Sequence, residues 1–164
     1  MAIEEVNVQR LSVTSLKPFG EVVKVLEESV GQPNMNTFVR EVSSAKSFED
    51  LEKVINGVTG STGLMQFMKF DLGEIVRKER GEAAPRSLRY LIGNPLIMKQ
   101  MIERSPDAGS YAPVTILVDE RPDGVRLSYD RMASFLAPYG NNEALTVARD
   151  LDAKIEALLA KAAG

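Results

Sequence analysis

The sequence predicts an α+β fold: a mostly antiparallel sheet of about five strands with helices packed mainly on one face. Three observations lead there. The stretch "PVTILVDERPDGVRLSY" reads as two β-rich runs joined by a Pro-Asp-Gly turn, a hairpin in which Asp123 and Gly124 supply the conformations the turn needs. The tail from 142 to 162 places apolar residues at 144, 148, 151, 155, 158 and 162, the steps of a helix with one apolar seam. The order of elements, strand, helix, helix, strand, strand, helix, hairpin and helix, suits strands that pair with neighbours and share a helical cover.

Residues 5–14 are rich in β-branched side chains and predict the first strand, with a bulge where the alternation slips between Val8 and Leu11. Pro18 suits a first helical turn, and Phe19, Val22, Val23, Leu26 and Val30 then recur at helical spacing until Gly31. Residues 31–46 read as a loop, and Ser47 with Asp50 as the capping box of a short helix carrying Leu51, Val54 and Ile55. "LMQFMKFDL" alternates and predicts a central strand, followed by a polar helix from Gly73 to Arg80.

The strand Ser87–Ile92 runs into Gly93-Asn94-Pro95, where the chain turns from extended to helical. Pro95 pushes Asn94 out of the α region, the state an N-cap adopts, and itself lacks the amide that would need a partner. The motif is accounted for as a strand-to-helix joint; its functional alternative is an anion held at the helix start. Helix 95–104 has a wide apolar sector whose methionines suit core filling. The final seam is assigned to the sheet rather than to another subunit.

The length of 164 residues suits one domain, residues 1–164, with 31–60 as a loop and short helix inserted into it. No apolar run approaches a membrane span, and "MAIEEVNVQR" has acids where a secretory signal needs a basic segment, so a cytoplasmic address is expected, without a membrane partner. Cys and His both number 0, which removes disulfides, thiolate nucleophiles, the commonest metal ligand and the commonest general base. No cofactor and no metal are expected. Residues 61–105 carry 8 basic and 5 acidic side chains inside a chain of net charge -3, a local field that favours an anionic ligand but is too small for nucleic acid. Asp119, Glu120 and Asp123 lack the spacing of a hard-cation loop and read as turn residues.

From about residue 60 to 162 the blocks "GLMQFMKFDLG", "RYLIGNPLIMKQM", "YAPVTILVDE", "RLSYDRMASFLA" and "VARDLDAKIEALLA" resemble the family known as domain of unknown function 302, with a looser match through "SLKPFGEVVKVLE". The resemblance implies a small α+β fold, often dimeric, without an assigned reaction. It places Asn94 and Pro95 in a signature turn and Tyr129 and Asp130 in a signature block. Relatives of this type read Phe-Asp-His-Gly where this chain has Phe70-Asp71-Leu72-Gly73, so any metal or proton chemistry of that histidine is absent. Met132-Ala133-Ser134 departs from an expected Pro-Ser-Ser.

The remaining chemistry must use carboxylates, tyrosine, lysine, arginine or hydroxyls. Asp71 with nearby Glu74 forms a candidate carboxylate pair in which one pKa rises, and Tyr129 is a further candidate catalytic group. Alternation puts Phe67, Lys69 and Asp71 on one strand face, and offers Arg89 with Leu91, Thr115 with Leu117, and Arg126 with Ser128 on others. Where those faces coincide they form a basic and apolar surface for an amphipathic anion, with Lys69, Arg89 or Arg126 on its charge. A second placement unites Tyr90, Tyr129 and Asn94 between sheet and helices. The expected function is binding of a small anionic or amphipathic organic molecule by a homodimer; the alternatives are a cofactor-independent isomerase, cyclase or hydrolase, and an interaction domain without a small ligand.

Overall fold

In the computed structural model, which describes residues 3–164, every strand neighbour is antiparallel. The first strand is β1 (Arg10–Ser15); helices α1 (Phe19–Ser29), α2 (Met35–Ser44) and α3 (Phe48–Val58) lead to β2 (Met65–Asp71). Helix α4 (Leu72–Arg80) joins β2 to β3 (Ser87–Gly93), and α5 (Pro95–Ile102) with a one-turn 3-10 helix (Pro106–Ser110) leads to the hairpin β4 (Val114–Arg121) and β5 (Gly124–Asp130). A short α6 (Met132–Leu136) and the long α7 (Asn142–Ala163) complete the chain. The order across the sheet is β1-β5-β4-β3-β2.

One sheet face is the core. Leu88, Tyr90, Ile92, Ile116, Val118, Leu127 and Tyr129 are all buried there, beneath Phe19, Val22 and Leu26 of α1 and the seam of α7. Each seam position, Ala144, Ala148, Leu151, Ile155, Leu158 and Ala162, is buried, so α7 covers its own sheet. Ser15 Oγ donates to Ala163 O at 2.6 Å and fastens the last turn of α7 to the end of β1. No helix among the described residues is long and apolar enough to cross a membrane.

The expected strand over 5–14 forms only from Arg10, because its partner β5 ends at Asp130, opposite Arg10; the register with β5 runs without a bulge. The expected loop over 31–46 contains α2: Asn34 accepts the Thr37 amide at 3.1 Å, and Met35, Phe38 and Val42 pack with Ile55 of α3 in a small second core. Few apolar residues were needed, because only one side of α2 is covered. Strand β2 is an edge strand rather than a central one, and its register slips at Phe67, which reverses the alternation beyond it.

Between α1 and β2 the chain crosses itself closely. Gly31 and Gly60 both donate to Leu64 O, at 2.8 and 2.9 Å, and Gly31 O accepts from Gln66. A Cβ at Gly31 would lie 1.8 Å from Val58 O, and one at Gly60 2.5 Å from Val30 C, so glycine is required by the close approach of two backbones.

Candidate functional site

The sheet face away from α1 and α7 is uncovered, and its side chains form three rows across the strands. The first row holds Thr14, Arg126, Asp119 and Ser87; the second Ser12, Ser128, Leu117, Arg89 and Phe70; the third Arg10 with Asp130, and Thr115, Leu91 and Met68. Two concavities of about 470 Å³ each lie on this face and share Arg89, Thr115 and Asp130, so together they form one trough. One end is lined by Leu72, Arg121 and Arg126, the other by Tyr111, Pro113 and Phe135.

The charges in the trough are unequally satisfied. Arg10 grips Asp130 with two bonds of 2.6 and 2.8 Å, and Arg121 holds Asp119 at 2.5 Å. Arg89 has a single polar partner, Thr115 Oγ1 at 3.4 Å, and no carboxylate among the described residues. Arg126 reaches only the exposed Asp123, at 3.5 Å, while its Nε is buried without a partner. Directly opposite, Asp119 Oδ1 is also buried and unpartnered. A buried polar atom without a hydrogen bond is costly.

Strand β2 contributes differently from the sequence reading. Lys69 stands opposite Tyr90 and Asp71 opposite Leu88, so both lie on the helix-covered side, and Phe70 takes the place beside Arg89. The bulge at Phe67 is the reason. Lys69 therefore belongs to a corner in which Glu27 Oε1 accepts from Lys69 Nζ at 2.6 Å and from the Tyr90 hydroxyl at 2.7 Å. Burial, with Glu27 beside it, pushes the Tyr90 phenol far up and keeps it protonated.

Asp71 is the N-cap of α4. Its Oδ1 accepts the Glu74 amide at 2.8 Å and its Oδ2 meets Arg77 at 2.7 Å. Desolvation pushes its carboxyl up, but Arg77 and the Glu74 amide outweigh this and hold it below the usual range, the opposite of the rise sought in a carboxylate pair. The Glu74 side chain turns toward Lys78, 4.0 Å away.

Tyr90 and Tyr129 flank Ile116 across β4 but serve different acids. Tyr129 donates to Asp152 Oδ1 at 2.5 Å, in a buried network where the two Asp152 oxygens also accept the Met132 and Ala133 amides at 2.8 and 3.1 Å. Asp152 thus caps α6 from α7. Burial, then the charge of Asp152, pushes the Tyr129 phenol far up. Asn94 is remote from both tyrosines in its contacts: Oδ1 accepts the Leu96 amide at 2.8 Å and Nδ2 donates to Gly63 O at 2.8 Å. The turn is a capped joint with its side chain fully used.

The sequence reading missed Asp152, although its signal was present. It falls 4 residues after Ala148 and 3 before Ile155, an acid inside the apolar sector of α7. It also missed the aromatic end of the trough, since Tyr111 and Phe135 sit in short segments without periodicity.

The family model for "Domain of unknown function DUF302" matches residues 40–162, three quarters of the chain. The chain belongs to this family. A solved DUF302 structure, described as an uncharacterized conserved protein from Bacillus stearothermophilus, aligns with a TM-score of 0.67 over 93% of this chain and 97% of that one, at 12% identity. At that identity the likeness shows the fold alone. No curated protein matches. The DUF302 assignment therefore brings an architecture to the trough and no chemistry, which has to be argued from the side chains.

Proposed function

We propose that this protein binds a small organic anion in the trough on the open sheet face, with Arg89 as its main charged contact. The observation that carries the reading is the position of Arg89: an exposed guanidinium on the floor shared by both concavities, with no carboxylate partner. The planar fork of arginine suits a carboxylate or phosphate taken through two parallel bonds. The incomplete bonding of Arg126 adds a second cation, two residue positions along and two strands across from Arg89.

The test is calorimetric titration of the wild-type protein with a panel of carboxylates and phosphate esters. The expected result is a binder that loses at least ~10-fold in affinity in Arg89→Ala, the scale of one charge-assisted bond. Lys69→Ala, on the other face, leaves that affinity unchanged. A panel without a single binder overturns the proposal. The acid–base alternative gains less from the geometry, because Asp71 is occupied by Arg77 and Glu74, and Tyr129 by Asp152.

A second reading, self-association as a homodimer, has its own observation. Met68, Phe70, Leu72, Ile75 and Val76 are all exposed, with Ile75 at 73%, on an edge strand and the helix after it. Such a cluster of apolar side chains suits an interface. Native mass spectrometry of wild type against Ile75→Lys with Val76→Glu reads this directly: a dimer peak lost in the variant supports it, and a monomeric wild type removes it.

A further inference from the structure

The trough is polarised along the strands. At the hairpin end stand Arg126 and Arg121, then Arg89 one row further in; at the other end the floor is Leu91 and Thr115, and the wall is Tyr111, Pro113 and Phe135. Between the two ends Asp130 is neutralised by both bonds from Arg10, so it does not repel an anion lying across it.

The wall is aromatic and held in place. The rings of Tyr111 and Phe135 are stacked, with centroids 4.6 Å apart and planes at 13°, and the Tyr111 hydroxyl is bonded to that of Tyr139 at 2.8 Å. Tyr111 packs at the edge of the main core, Phe135 is half-buried outside it, and both line the concavity that Arg89 lines. Stacked rings present a flat surface that favours a further ring in offset or edge contact.

We infer that the ligand of this trough is an aromatic carboxylate, its carboxylate on Arg89 and its ring against Tyr111 and Phe135. This rests on the reading that the trough binds an organic anion. Leu91 lies two residues from Arg89 along β3, about 7 Å at the rise of an extended strand, which is the span of one or two fused rings carrying an acid group. A phosphate without an organic body leaves the aromatic end empty, and an apolar molecule without charge leaves Arg89 unpaired. The floor between them, Leu91 with Thr115, accepts a planar apolar body, while Arg126, one row along and two strands across from Arg89, adds attraction without contact.

The probes are 2-naphthoate, benzoate, acetate and inorganic phosphate, titrated into the full chain by calorimetry and by chemical-shift perturbation. The expected order is naphthoate, then benzoate, with naphthoate at least ~10-fold tighter than acetate, and with shifts at Arg89, Leu91 and Tyr111. Phe135→Ala removes that preference and leaves acetate unchanged; Phe135→Leu, which keeps bulk at the site, is read alongside it so that loss of folding is not mistaken for loss of the ring. If small anions bind in an Arg89-dependent way but naphthoate is no tighter than acetate, or keeps its advantage in both Phe135 variants, the aromatic assignment is overturned and the anion site stands. If none of the four probes binds, both fall.

Discussion

Tyr129 and Asp152, 23 residues apart in sequence, meet through a 2.5 Å hydrogen bond inside the core, and the same carboxylate gathers the first two amides of α6. One acid on α7 thereby orients a strand end, a tyrosine and a short helix. Helix α6 has only 5 residues and no cap of its own, so its start is defined from outside.

Asp152→Ala leaves the Tyr129 hydroxyl without its acceptor, the Ala133 amide without a partner and the Met132 amide with only the Tyr129 oxygen at 3.1 Å, and is expected to lower the unfolding free energy by about 3 kcal/mol, whereas Tyr129→Phe costs about 1 kcal/mol. Asp150→Ala, two positions away in the sequence and exposed, is the control and changes stability by less than ~0.5 kcal/mol. Urea unfolding of the three variants decides it. A cost for Asp152→Ala no larger than for Asp150→Ala would mean that the capping carries no energy.

The pH dependence of stability separates two kinds of acid. Burial raises Asp152 above its ordinary 3.8, so the folded state holds that proton more tightly than the unfolded state, and this group's contribution falls as pH rises from 3.8 through the folded value. Asp71 and Glu120 are lowered, the latter chiefly by its bond to Arg86; their contributions are complete above the ordinary 3.8 and 4.5 and are lost as pH falls through the folded values. Asp71→Asn and Glu120→Gln should therefore flatten the acid arm of the stability curve, while Asp152→Asn should remove a decline on its neutral side. Unfolding free energies from pH 2 to 8 measure both slopes (a window of roughly the carboxylate range and beyond).

Two glycines should respond in opposite directions. At Gly31 a methyl group would collide with the Val58 carbonyl, so Gly31→Ala is expected to cost about 3 kcal/mol. Gly57, exposed in α3 with nothing near the place of a Cβ, should gain roughly 0.5 kcal/mol as alanine from the lower entropy of the unfolded chain. Thermal midpoints of the two variants give the sign at once.

Asn94 uses both ends of its amide, so Asn94→Ala is expected to cost about 1 to 2 kcal/mol. Asn94→Asp keeps the acceptor for the Leu96 amide but replaces the donor to Gly63 O by an oxygen, and should fall no less far. Equal stability of Asn94→Asp and wild type would show that the link to Gly63 is dispensable.

Much of this architecture was legible because it rests on repetition. The α7 seam, the β4–β5 hairpin and the Ser47 and Asn94 caps each depend on a local pattern that one helix or turn satisfies alone. What escaped depends on partners distant in sequence. The face of Lys69 is decided by a single bulge at Phe67, since a period of two is reversed by one residue. Helix α2 escaped because a lightly buried helix needs few apolar residues, and the edge position of β2 because strand order is a property of the whole sheet. At the candidate site Arg89 and Arg126 were legible as basic residues on strands, but the freedom of Arg89 from carboxylates and the loose 3.5 Å hold of Asp123 on Arg126 appear only when Arg10 and Arg121 are seen to engage Asp130 and Asp119.

The crossing at Gly31 and Gly60 has a topological result. Both glycines hang from the same carbonyl, that of Leu64, so the chain closes a ring around α2 and α3 before it enters β2. Seen from the sheet, α1 is connected to β2 by the few atoms of that knot-like clasp, and the 28 residues from 32 to 59 hang outside the circuit as a side branch. The entropy of closing such a branch depends only weakly on its length, so its exposed turns are free to change in number of residues, while Phe38 and Ile55, packed with Met65, Phe67 and Leu96, tie α2 and α3 back to the circuit.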